Sequence, residues 1–242
     1  MSEKYFRSRF RREIASGDNR DKFSERLTRM SSDVGLQAKV VELISAAQAT
    51  AKAHTKEVAI GKGTQVYNLG MQLRHVHNTL GHHVHDSCHG ALYRTTRAER
   101  LMMSGDAGKD RLHCEHTVPI KLAAELIYNR RAETPLAFST YLLTRTPVVA
   151  MTREERESLS PRRACGTSKK RAWADSHPSF LDGEPADPSQ VLLFARYLET
   201  DLELIRWTDG KSVDLSKYTM ADHMEAIRLL PLYDASNYGF PD

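Results

Sequence analysis

Residues 113 to 120 read His-Cys-Glu-His-Thr-Val-Pro-Ile, a carboxylate, two imidazoles and a thiol set directly ahead of a helix-starting proline. Glu115 offers oxygen ligands to a hard cation, and His116 can take a proton from water near neutral pH. That pairing is what metal-assisted hydrolysis needs. The turn at Thr117, Val118 and Pro119 fixes where the two side chains point. His113 lies two residues before Glu115, so on a strand it shares that face and can bind metal or phosphate.

The run Glu115-His116-Thr117-Val118-Pro119 resembles the first motif of the HNH, or ββα-metal, nucleases, where a short hairpin delivers an acid and a general-base histidine and a helix follows. The resemblance extends more loosely to about Phe180, and residues 1 to 95 take no part in it. It implies a metal-dependent DNA endonuclease in a restriction or defence role, with Glu115 on Mg2+ or Mn2+ and His116 as the general base. It also implies Asn129 as the asparagine that orients the base. Val148 to Leu159 resembles the second strand and helix of some members, which often carry a ligand histidine where this chain has Arg156. Arginine cannot bind a cation. His177 and His113 are then the candidates for the missing ligand, and Glu155 is a further one, although a capping box with Thr152 accounts for it without any metal.

Two further groups bear on function. Arg162, Arg163, Lys169, Lys170 and Arg171 form a basic block that would hold the DNA backbone, and Lys4, Arg7, Arg9, Arg11 and Arg12 read as a solvated arm. His75, His77, His82, His83, His85 and His89 crowd one stretch with Cys88. Zn2+ at His82, His85, Cys88 and His89 is one reading of it. The other is the polar face of a long helix packed on the site or on a second copy of the chain, as a homodimer. Cys88, Cys114 and Cys165 are far apart with no Cys-x-x-Cys pair, so neither a disulfide framework nor a four-cysteine zinc site is expected.

The elements that must position these residues follow from periodicity. Residues 1 to 34 are polar and read as a charged arm. Leu36, Val40, Leu43, Ala47 and Ala51 recur at helical spacing, and Val66, Leu69, Leu73, Val76 and Leu80 predict an antiparallel partner. Thr96 to Glu99 has capping-box form, Pro119 opens a helix to about Arg130, and Thr134-Pro135 starts another. Pro147 to Met151 reads as a buried strand, Asp187-Pro188 as the start of an apolar helix through Leu202, Thr208 to Lys211 as a turn, and Thr219 as the cap of a last helix.

The expected fold is mainly α with a small β element, a ββα-metal-like core enclosed by N- and C-terminal helices. Its divisions are an arm at 1–34, a helical layer at 35–95, a catalytic core at 96–182 and C-terminal helices at 183–242. Hydrophobic content of 40%, charged content of 27% and a formal charge of +4 are ordinary for a globular protein and do not by themselves mark a nucleic-acid binder. No apolar run suits a membrane span and the first residues are charged, so a cytoplasmic location is expected. The competing reading is a non-enzymatic helical protein that binds nucleic acid or a partner, with a structural His/Cys metal site or none.

Overall fold

The computed structural model describes residues 21–61, 68–81, 88, 90–104, 112–159 and 177–240. In chain order its helices and strands are α1 (Asp21–Ser32), α2 (Val34–Ala53), α3 (Lys56–Ile60), α4 (Leu69–Thr79), β1 (Tyr93–Thr95), α5 (Thr96–Met103), β2 (Leu112–His116), α6 (Ile120–Asn129), α7 (Pro135–Arg145), β3 (Val148–Thr152), α8 (Arg153–Leu159), β4 (Leu204–Arg206), β5 (Ser212–Val213) and α9 (Met220–Ile227). The fold is thus mostly helical around one small mixed sheet. No helix among the described residues is long and apolar enough to cross a membrane.

Local chemistry accounts for the helices nearest the site. Asp33 caps α2 by accepting from Leu36 N at 3.0 Å, and Leu36, Val40, Ile44, Ala47 and Ala51 are buried along it, with Ile44 in the place expected of the half-buried Leu43. Gly61 ends α3 where a Cβ would run into the Glu57 carbonyl. Asn68 then caps α4 through Gly70 N at 2.7 Å, and Leu69, Leu73 and Val76 turn that helix inward. His77 follows Val76 and is carried into the interior with it, 2% exposed.

The sheet order is β2-β3-β1-β4-β5. β2 pairs antiparallel with β3 from Leu112↔Thr152 to His116↔Val148, β1 lies parallel to β3, and β4 and β5 continue antiparallel on the other side. Every residue of β3 is buried. Its side chains alternate between two cores, as a two-residue period requires: Val149 and Met151 join the large core with α2, α4, α6 and α7, whereas Val148 and Ala150 join a small one with Cys88, Ala98, Met102 and Leu112. Register places Glu115 opposite Val149 on β2, the edge strand.

Several expectations are corrected here. The arm at 1–34 includes helix α1, with Leu27 and Met30 each 1% exposed. The sheet takes strands from 93–95, 112–152 and 204–213, so it crosses both divisions expected at 95/96 and 182/183. Thr95, not Thr96, caps α5. The helix expected from Asp187 to Leu202 is absent. Leu193 N bonds Tyr218 O at 3.0 Å and Met220 N bonds Val191 O at 2.8 Å, so the chain pairs with a distant segment and makes only short 3-10 turns at Pro188–Gln190 and Ala195–Tyr197. An uninterrupted apolar run such as 191–195 is equally suited to buried extended chain.

Candidate active site

β2 delivers the site as a strand should. His113 and Glu115 stand two residues apart, and His113 Nε2 lies 3.1 Å from Glu115 Oε2. The other carboxylate oxygen, Oε1, accepts from Arg196 NH1 at 3.2 Å, and the same nitrogen bonds the His116 carbonyl oxygen. Arg196 is presented by the 3-10 turn at Ala195–Tyr197, and its side chain is only 6% exposed against 19% for Glu115. A single guanidinium therefore fixes both the Glu115 carboxylate and the backbone of His116.

The His116 ring is held from the opposite quarter. His116 Nε2 lies 2.7 Å from His77 Nδ1, and His77 Nε2 lies 2.8 Å from Thr146 Oγ1. Thr146 Oγ1 donates its one proton to Leu142 O at 2.6 Å. The hydroxyl is then an acceptor toward His77, so a neutral His77 carries its proton on Nε2 and accepts on Nδ1. His116 must donate from Nε2, which leaves the lone pair of its neutral ring on Nδ1. The chain Leu142 O, Thr146, His77 thereby sets which nitrogen of His116 is basic.

Electrostatics follow from these contacts. Burial works against ionisation of Glu115, but the His113 hydrogen bond and the Arg196 and histidine charges outweigh it and hold its carboxyl below the usual range. Burial lowers His116 to about 4; Glu115 opposes this, while Arg74, His113 and Arg196 add to it. At neutral pH the site is therefore an ionised carboxylate beside an uncharged imidazole. This is the state in which both can act as ligand or base.

The described residues contain no group of three or more histidine, cysteine or acidic side chains gathered to hold a metal. A Mg2+-type cation asks for less, because it keeps several waters and takes one or two protein ligands at about 2.1 Å. Glu115 and His113 are the side chains that would hold such an ion, in place of the hydrogen bond between them.

The other expected residues do not join them. His177 is 1% exposed and spends both ring nitrogens locally: Nδ1 accepts from Ser179 N at 3.2 Å and Nε2 donates to Leu193 O at 3.3 Å. It is a cap for the turn at Pro178–Phe180, not a free ligand. Asn129 is exposed at the end of α6. That helix begins just after His116, which puts Asn129 about 13 Å further along its axis, out of reach of the His116 ring that His77 holds. Glu155 accepts from Thr152 N at 2.8 Å and Thr95 Oγ1 at 2.7 Å, while its own N–H donates to Thr152 Oγ1, which is the expected capping box. Cys88 is joined to Cys114 by a disulfide with a Cα–Cα distance of 6.1 Å, where no disulfide framework was expected, so its sulfur is not available to zinc. Its companions His82, His85 and His89, like Arg162, Arg163, Lys169, Lys170 and Arg171, lie outside the described residues.

His77, Thr146 and Arg196 are parts of this site that no sequence motif marks. His77 belongs to a histidine-rich run, but the inward stripe of α4 is legible and places position 77 beside Val76. Thr146 and Arg196 belong to connections with no motif. Comparison with known protein families, with curated proteins and with solved structures yields no match to this chain.

Proposed function

We propose that the protein is a divalent-cation-dependent phosphodiester hydrolase acting on DNA, an endonuclease of the ββα-metal type. The observation that carries this reading is the His116 ring, fixed by His77 so that Nδ1 keeps its lone pair, next in the chain to the ionised Glu115. The arrangement of β2 and β3 as an antiparallel pair followed directly by α8 supports it, with α6 and α7 inserted between the strands.

In this mechanism Glu115 and His113 would hold the cation, which when bound offsets negative charge on the phosphate. His116 Nδ1 takes the proton of the attacking water. A phosphate anion beside the ring favours its charged form and raises the basicity of His116, against the opposing charge of a cation on Glu115. The proton accepted at Nδ1 leaves Nε2–H on His77, so the ring does not turn during the step. Arg196 keeps Glu115 and the His116 backbone in register.

A second reading, a non-enzymatic nucleic-acid- or partner-binding protein, draws on the fact that both Glu115 oxygens already have partners. One assay separates the two. Purified protein with supercoiled plasmid and Mg2+ or Mn2+ should give nicked and linear DNA, and a chelator should stop it. Folded protein that leaves the plasmid intact with either cation overturns the hydrolase reading.

A further inference from the structure

Cys114 stands between His113 and Glu115 and two residues before His116, and its sulfur is bonded to Cys88. We propose that this bridge is a redox control of the site: oxidised, it holds the His116 base in place, and its reduction by a dithiol releases it. For activity alone, the proposal rests on the hydrolase reading above.

Connectivity carries the inference. His77 lies on α4 and Cys88 follows in the chain segment that leaves that helix; His116 and Cys114 lie on β2. The disulfide and the His77–His116 hydrogen bond are therefore two cross-links between the same two segments. Gly90 N bonds Gly81 O at 3.1 Å and Ala91 N bonds Cys88 O at 2.9 Å, so Gly90 lies against the end of α4. The backbone at Cys88 is also strained. Its φ is 52°, and it is the one non-glycine residue with positive φ among the described residues, a conformation that a side chain with a Cβ avoids. Its side chain is fully buried in the small core with Ala98, Met102, Leu112 and Ala150, against which the half-buried Cys114 packs.

Reduction begins at the more accessible sulfur. One thiolate of the dithiol attacks Cys114 Sγ, the S–S bond breaks, and Cys88 leaves as a thiolate that takes up a proton. The reductant's second thiol then closes its own disulfide and frees Cys114, so two electrons pass to the bridge and two protons end on the cysteines. Cys88 can relax from the left-handed conformation and is no longer tied to β2.

The test uses the full chain with Cys165→Ser, to prevent exchange with the third thiol, in oxidised and dithiothreitol-reduced forms. Peptide mapping without reductant should recover Cys88 linked to Cys114. Reduction should lower Tm by about 5–10 °C, shift the imidazole 15N signals of His77 and His116, and cut plasmid cleavage by about tenfold or more. Reoxidation should reverse all three. A Cys88→Ala, Cys114→Ala variant should match the reduced form and ignore dithiol; if that variant does not fold, the reduction series on the parent protein decides. Absence of the linked peptide, or a linked protein whose imidazole signals do not move on reduction, overturns the proposal. Signals that move in a protein that cleaves nothing in either state uphold the redox coupling and overturn the hydrolase reading instead.

Discussion

His77→Ala removes a side chain that touches no substrate in the proposed mechanism, so its effect tests directly whether His77 positions the base. The hydrogen bonds to His116 Nε2 at 2.7 Å and to Thr146 Oγ1 at 2.8 Å are lost. At about 0.5–1.5 kcal/mol each, with a further cost for a buried N–H left unpaired and a cavity opened, the fold should lose about 2–4 kcal/mol. The His116 ring is then free to rotate and to exchange tautomers, and partners that orient a catalytic or ligating imidazole are typically worth about 10- to 100-fold. Single-turnover cleavage of a labelled duplex should show kcat down by that factor, with KM nearly unchanged. His77→Asn should recover much of the loss, because its Oδ1 can accept where Nδ1 did. A folded His77→Ala protein with the parent kcat, or alanine and asparagine variants equally impaired, would refute the reasoning.

Arg196→Ala should lower stability by about 2–3 kcal/mol, because it leaves a largely buried Glu115 carboxylate without its guanidinium; Arg196→Lys, a point donor in place of a fork, should restore less than half. Urea unfolding measures both, and a change under about 0.5 kcal/mol for Arg196→Ala, the size of a surface pair, speaks against the ion pair. The buried imidazoles make stability pH-dependent. Burial lowers His177 to about 4 and His223 to about 3, and His116 is also at about 4. Unfolded, each titrates near 6.5, so the unfolded chain binds more protons below that pH. Their contribution is complete above about pH 6.5 and is lost as pH falls toward about 4. Between about pH 7.5 and 5 the His177 share is about 2 kcal/mol. His177→Gln should show a correspondingly smaller drop in urea stability across that range, and an identical drop would contradict the burial argument.

What is legible in the sequence is local. The amphipathic stripe of α2, the Thr134-Pro135 start of α7, the Thr152–Glu155 cap and the strand at 148–152 all depend on neighbours within a few residues, and all are present. The contact between His113 and Glu115 is legible for the same reason, since residues two apart on a strand face one way. The failures are long-range. His177 has the chemistry of a ligand, but its two hydrogen bonds depend on a turn at 178–180 and on Leu193 folding over it. The partners of His116 come from positions 77 and 146, and that of Glu115 from 196; no periodicity connects them. The strand pair Leu204–Arg206 and Ser212–Val213 is not legible although its Asp-Gly turn is, because three- and two-residue strands carry too little alternation to read.

The role of His116 as general base of a phosphodiester hydrolase is tested most directly by one comparison: metal-dependent cleavage of plasmid DNA by the parent protein and by His116→Ala, with folding checked by circular dichroism and DNA binding by gel shift. Loss of a general base costs on the order of 10²- to 10⁴-fold. The expected result is a fall of that size in the cleavage rate, with native-like folding and DNA affinity within about twofold of the parent. A folded His116→Ala protein that cleaves at the parent rate would contradict the general-base role.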